Sequence, residues 1–225
     1  MSTILFGVWP YLAGAVCLVG HVWRWRFDQF GWTSRTSQLM EKRWLAIGSP
    51  LFHLGALMVI GGHALGLLVP ASATRAVGLS DHAYHLVAVG GGVAAGAVFA
   101  AGAVILTIRR FLSRARFRLS NRPADLVMYA LLGITAGFGL GGTLVLNAFG
   151  QGYDYRPTIA VWFRGLFVLD PRPELMAAAP WPYQVHVLAA LALIAWWPFT
   201  RLVHVWSVPL GYLIRPPIVY RRPPS

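Results

Sequence analysis

Residues 49–70 read SPLFHLGALMVIGGHALGLLVP, a stretch with no charged side chain and two histidines, His53 and His63. It lies inside a longer charge-free window, 44–74. A window of that length exceeds the roughly 20 apolar residues that cross the hydrocarbon core of a bilayer. Four further windows, 1–23, 82–108, 126–153 and 175–200, also contain no Asp, Glu, Lys or Arg. Together the five windows take up 135 of 225 residues, and the other 90 carry all 26 charges. The expected fold is therefore all-α and polytopic. Five transmembrane helices, at about 4–25, 48–70, 83–108, 125–148 and 181–205, form one integral-membrane domain, and 206–225 form a cytoplasmic tail.

The chain carries 19 Lys+Arg against 7 Asp+Glu, a net charge of +12. Composition alone would invite a nucleic-acid reading, but the placement of the charges excludes it. Arg24, Arg26, Arg35, Lys42 and Arg43 follow the first window, Arg109, Arg110, Arg114, Arg116, Arg118 and Arg122 follow the third, and Arg201, Arg215, Arg221 and Arg222 follow the fifth. Arg75, Arg156, Arg164 and Arg172 lie in the alternate loops. Fifteen basic residues thus collect on one side, and short basic loops stay in the cytoplasm. That bias predicts an outside N-terminus and a cytoplasmic C-terminus. No basic residue precedes Arg24, so the first window reads as a span rather than a secretory signal. The tail RPPIVYRRPPS is too proline-rich for helix and reads as an extended arm. In the Pro-rich loop at about 154–174, an amphipathic stretch from Ile159 to Leu169 is expected to lie on the surface. Cys17 is the single cysteine, which leaves no internal disulfide, no Cys-x-x-Cys-His haem attachment and no cysteine-held iron–sulfur cluster.

All seven histidines fall in or at the edges of the spans, where an ionisable side chain is a functional candidate by default. Spans two and five run in opposite directions. His53 is therefore level with His204, near the cytoplasmic face, and His63 is level with His186, toward the outside. The spacings differ, at ten and eighteen residues, or about 15 Å and about 27 Å of ideal helix. Pro198, between the two span-five histidines, is expected to kink that helix and help reconcile them. Eighteen residues of straight helix would also leave His186 and His204 on one face. Two stacked bis-histidine sites suit six-coordinate haem iron, which has no open position and serves electron transfer. Neutral imidazole ligands also avoid leaving a charge in lipid.

Zinc would need further ligands. A histidine proton relay would ordinarily include intramembrane carboxylates, and the windows contain none. Histidines that only bond neighbouring helices, in a haem-free scaffold or transporter, are the remaining alternative. Arg201, Arg109 and Arg110 end spans on the cytoplasmic side, either as partners for haem propionates or as positive-inside anchors. His21 reads as interfacial. His82 and His85 open span three on the outside, as an interfacial pair or, in the functional reading, as proton acceptors for a quinol beside the outer haem. The small-residue runs 90–103 and 133–142 allow close helix packing or make room for a flat cofactor, and the residues alone do not choose.

WPYLAGAVCLVG (9–20), TSQLMEKR (36–43), residues 49–70, RRFLSRARFRLSNRPADL (109–126) and PFTRLVHVWSVPLGYL (198–213) together resemble the respiratory nitrate reductase gamma subunit, a dihaem cytochrome b membrane anchor. The resemblance spans nearly the whole chain and is weak at 150–180. It implies two haem b groups, one on His53 and His204 and an outer one on His63 and His186. It also implies quinol, ubiquinol or menaquinol, oxidised beside Gly62, His63 and His85, with histidine at 85 where the family pattern has lysine. The implied partners are an iron–sulfur beta subunit and a molybdenum-containing alpha subunit on the cytoplasmic face of a prokaryotic inner membrane, with no nucleic acid. A dihaem anchor of a hydrogenase or formate dehydrogenase type would use the same site chemistry.

Overall fold

The computed structural model describes residues 1–32, 43–112 and 123–207, and those residues contain helices and no strand. The basic residues at 35, 42, 114, 116, 118 and 122, and the tail from 208, lie outside the described residues. A π-helical stretch, Thr3–Val8, leads into α1, Trp9–Phe27. Next come α2 (Arg43–Leu68), short α3 (Ala71–Ala76) and α4 (Asp81–Phe111). α5 (Pro123–Gly141) runs on as a π-helical segment, Gly142–Ala148. α6 (Ile159–Phe167) and α7 (Pro173–Ala177) lie in the connection to α8 (Trp181–Trp196). Among the described residues, four helices are long and apolar enough to cross a membrane: Thr3–Phe27, Arg43–Leu68, Asp81–Phe111 and Pro123–Ala148.

α8 has only 16 residues, about 24 Å of helix. Pro198 interrupts the sequence that would continue it, because proline supplies no N–H and crowds the preceding turn. The chain instead passes through a 3₁₀ turn at Trp197–Phe199 and an extended Thr200 (φ −115°, ψ −179°), then a second 3₁₀ segment, Arg201–Ser207. The helix expected to run on to about 205, kinked at Pro198, is therefore broken. The relative position of His186 and His204 is set by that break and not by helical repeat.

Two packed groups form the bundle. α2 lies antiparallel along α4, and α8 packs against α5 and α1. Glycines create the first seam: a Cβ on Gly48 would meet Ile105 at 2.7 Å, one on Gly55 would collide with the Phe99 backbone, and one on Gly102 with the Phe52 backbone. Gly48, Gly55 and Gly62 recur every seven residues and so share a face of α2. At Gly62, however, no atom lies within 4 Å of the Cβ position. The close contacts lie at Gly48 and Gly55, and the seam is open at Gly62, toward the end distant from Arg43, here termed the far end. The opposite end, with Arg24, Arg43, Arg109 and Arg201, is termed the basic end.

Packing across the far end comes from α6. Its Ile159, Ala160 and Trp162 are buried with Phe6 and Met176, Trp162 Nε1 donates to Phe6 O (2.7 Å), and Arg164 donates to Leu67 O (2.8 Å). The surface placement expected for this segment thus holds for one face only. Arg156, itself buried, bridges Asp154 (2.9 Å) and Asp81 (3.2 Å), and Asp81 also pairs with Arg75 (2.9 Å). This ties the loop to the start of α4.

Overpacking a seam built on backbone contact costs about 1–3 kcal/mol. Gly55→Ala should therefore lower the unfolding temperature in detergent, whereas Gly62→Ala, at the open position, should not. At Asp154, burial opposes ionisation, but hydrogen bonds from the Arg156 side chain and backbone N–H prevail and hold the carboxyl below the usual carboxylate range. A lowered native pKa stabilises at neutral pH and is lost as pH falls through it, below about pH 4. Asp154→Asn should accordingly lower the melting temperature at pH 7, with the difference fading in acid.

Candidate metal centres

α2 and α8, the helices that carry the four central histidines, share no extensive packing among the described residues. Their imidazoles nevertheless face each other. The His63 and His186 rings have centroids 5.9 Å apart and are nearly parallel (19°), while the His53 and His204 rings are 6.1 Å apart and crossed (82°). The two pairs join the same levels that helical depth predicts, and the break at Pro198–Thr200 accommodates the unequal spacings.

All four rings are oriented the same way chemically. Nδ1 donates to a backbone carbonyl in each: His53 to Ser49 (2.7 Å), His63 to Val59 (2.8 Å), His186 to Thr135 (2.8 Å) and His204 to Arg201 (2.6 Å). A carbonyl can only accept, so Nδ1 carries the proton and Nε2 keeps a lone pair, as metal-ligating histidines require. Two imidazole–metal bonds of about 2 Å, with about 1 Å from each ring nitrogen to its ring centre, give a centroid separation near 6 Å. Both pairs meet that span. Among the described residues no group of three or more His, Cys, Asp or Glu converges, so the donor sets suit an ion with two protein ligands and not tetrahedral zinc. These residues fit a haem iron whose remaining ligands belong to the macrocycle.

Lateral packing adds residues that sequence reasoning missed. Gly139 on α5 lies under His186, where a Cβ would come within 2.9 Å of Cε1, beside the Thr135 carbonyl that orients the ring. Within the glycine-rich runs, Gly96, Gly102 and Gly139 serve close packing, whereas Gly90, Gly91, Gly133 and Gly137 face open space. The close-packing reading of those runs therefore holds for Gly96, Gly102 and Gly139. At the basic end Arg201 pairs with the buried Asp125 (2.9 Å), and its backbone N–H donates to the same carboxylate (3.2 Å). Arg110 donates to Tyr129 OH (2.6 Å), Arg110 and Arg201 both lie over that ring, and Arg109 is buried nearby on α4. Asp125 stands one residue before a charge-free window; a lone acid there beside a basic tail was the available signal. The His21 ring accepts from Trp206 Nε1 (3.0 Å) and bonds the Cys17 carbonyl (2.7 Å), which places it in an aromatic cluster away from both pairs.

Antiparallel register, with Gly55 against Phe99 and Phe52 against Gly102, sets His63 level with Gly91. His85 then lies six residues farther out, about 9 Å in depth, with its ring 3.2 Å from the Cβ position of Gly152. The structure therefore places Gly62 and His85 at the parted far end of the α2–α4 seam without bringing them into contact. The Tyr155 hydroxyl lies over Gly66 and bonds Tyr84 OH (2.8 Å), and Arg156 stacks on the Tyr84 ring at 4.3 Å. Burial first, and then the bond to Tyr84, raise the Tyr155 pKa, so this hydroxyl stays protonated.

The family description that matches is "Nitrate reductase gamma subunit", over residues 2–223. The nitrate reductase gamma chain of Bacillus subtilis is 42% identical, covering 97% of each chain, and the respiratory nitrate reductase 1 gamma chain of Escherichia coli is 29% identical over 96% of this chain and 95% of its own. The nitrate reductase-like protein NarX of Mycobacterium tuberculosis is 50% identical over 98% of this chain, which spans only 34% of that relative's length. With a family match over almost every residue and a 42% identical relative aligned along its whole length, the chain belongs to the nitrate reductase gamma subunit family.

Proposed function

We propose that this chain is the quinol-oxidising, electron-transferring membrane subunit of a nitrate reductase complex. The observation that carries the reading is the pair of facing imidazole couples, each spaced for one metal ion and each with Nδ1 committed to a carbonyl. α8 and the segment after it form the fifth crossing. The N-terminus lies outside and the basic end faces the cytoplasm of a prokaryotic inner membrane, in accord with the charge bias. His53 and His204 hold the cytoplasmic-side haem b, and His63 and His186 hold the outer one. When bound, two haems in this arrangement supply one-electron transfer across the thickness of the membrane.

The chain's own residues do the rest. Nδ1–H donation to carbonyls keeps each ligand ring neutral and correctly turned. Quinol enters where α2 and α4 part, between Gly62 and His85. An imidazole nitrogen of His85 accepts a hydroxyl proton as quinol gives up two electrons and two protons and becomes quinone. The protons leave outward, past the ion-paired loop. Arg109, Arg110 and Arg201 would lie toward haem propionates, and the basic end as a whole meets anionic lipid and an iron–sulfur beta subunit, which passes electrons to a molybdenum-containing alpha subunit where nitrate is reduced. An anchor of the hydrogenase or formate dehydrogenase type is disfavoured by the family match.

A reduced-minus-oxidised spectrum of the purified chain should show two b-type haems. A stoichiometry nearer one would sink the two-couple arrangement. His63→Ala or His186→Ala should remove the outer haem and abolish quinol oxidation while the other haem remains, and His204→Ala should remove the cytoplasmic-side haem instead. Loss of one quinol proton acceptor costs about 10²–10⁴ in rate. His85→Leu should therefore slow haem reduction by quinol in stopped flow by that order, with both absorption bands kept.

A further inference from the structure

The segment that carries His204 is not a regular helix, so something else must fix it. Pro198 and Thr200 sit at the break, where the α-helical ladder of α8 has ended, and both carbonyls point toward α1. Arg24, on α1 and itself buried, takes both: one terminal nitrogen donates to Pro198 O (2.6 Å) and to Thr200 O (2.8 Å). Its other terminal nitrogen donates to Gly31 O (2.8 Å), and Nε to Asp28 (3.2 Å), which balances the charge. One turn back, a Cβ on Gly20 would stand 2.8 Å from Pro198, so α1 and the break are in direct contact. On the other side of His204, Trp206 Nε1 donates to His21 Nε2 at 3.0 Å. His21 and Arg24 are three residues apart and so share a face of α1. Together they grip residues 198–200 and residue 206, with His204 between.

We infer that α1 is the clamp that positions His204. Arg24 and His21 are positioning residues for the basic-end imidazole couple, and neither touches the His63–His186 couple. Arg24 acts through Thr200, whose hydroxyl bonds both Trp197 O (2.9 Å) and Leu202 N–H (3.2 Å), and so through the start of the 3₁₀ segment whose Arg201 carbonyl orients the His204 ring. A lysine at 24 would keep the charge but, with a single nitrogen, could not stand both where one terminal nitrogen meets Pro198 and Thr200 and where the other meets Gly31. The charge at this end of α1 is therefore not interchangeable with the surface arginines around it.

This inference rests on the haem reading above, and the two fail differently. Arg24→Lys and Trp206→Phe, each in the full chain in membranes, should be compared with the unaltered protein by pyridine haemochrome content, redox titration and electron paramagnetic resonance. Crossed and near-parallel imidazole planes give ferric low-spin haems different anisotropy, so the two couples can be followed separately. Arg24→Lys should displace the signal and midpoint potential of the crossed couple, or lower haem content from two per chain toward one, while the near-parallel couple keeps its signal. Trp206→Phe, which keeps an aromatic side chain but removes the indole N–H and part of its area, should retain both haems and shift the same signal by less. Unchanged signals in both variants, or equal loss of both couples, would overturn the clamp. An unaltered chain without b-type haem would overturn the functional reading itself, before any variant is compared.

Discussion

The constraint that organises this structure is the distance between α2 and α8. The two helices must stand far enough apart to leave room between facing imidazoles, yet hold those rings to a centroid spacing of 5.9 to 6.1 Å. In water, hydrophobic burial would pull such helices together. In lipid that force is absent, and close packing of small residues decides which helices meet. Each helix is accordingly secured from behind: α2 by the glycine seam with α4, and α8 by α5 and α1.

The four rings are held by unlike means. His53 and His63 donate to carbonyls one turn back on their own helix, so their orientation travels with α2 as a rigid body. His186 donates to Thr135 on α5 and rests over Gly139, so its orientation depends on a helix–helix contact. His204 depends on a 3₁₀ segment that follows a break in the α-helix. Unsatisfied carbonyls at membrane depth are costly, and irregular backbone survives there only when protein groups satisfy it. Arg24 does so for the carbonyls at the break, and the same break lets histidines ten and eighteen residues apart meet at two levels.

Level along the bundle axis is readable from sequence; direction around each helix is not. Charge-free windows place residues along one axis, and helical rise converts sequence number into depth, which is why His53 pairs with His204 and His63 with His186. Gly139, Thr135 and Arg24 act through lateral contacts between segments 50 to about 175 residues apart, and one-dimensional periodicity carries no azimuth between helices. Pro198 signalled a kink, but not the extended Thr200 that turns a kink into a break. Asp125 escaped notice because the windows were drawn by charge, and a buried acid paired with Arg201 falls just outside such a window.

The basic residues need dividing for the same reason. Read by position alone, Arg24, Arg109 and Arg201 are three of many cations that mark one side of a membrane. In the structure Arg24 and Arg109 are buried, and Arg201 is closed over a buried carboxylate. A topology signal needs only charge near the end of a span, and any lysine would serve. Arg24 makes bonds that lysine could not reproduce, because a planar fork reaches several acceptors at fixed angles. Arginine outnumbers lysine by eighteen to one in this chain. At the basic end, where broken helix must be satisfied from the side, geometry and not charge alone accounts for arginine at position 24.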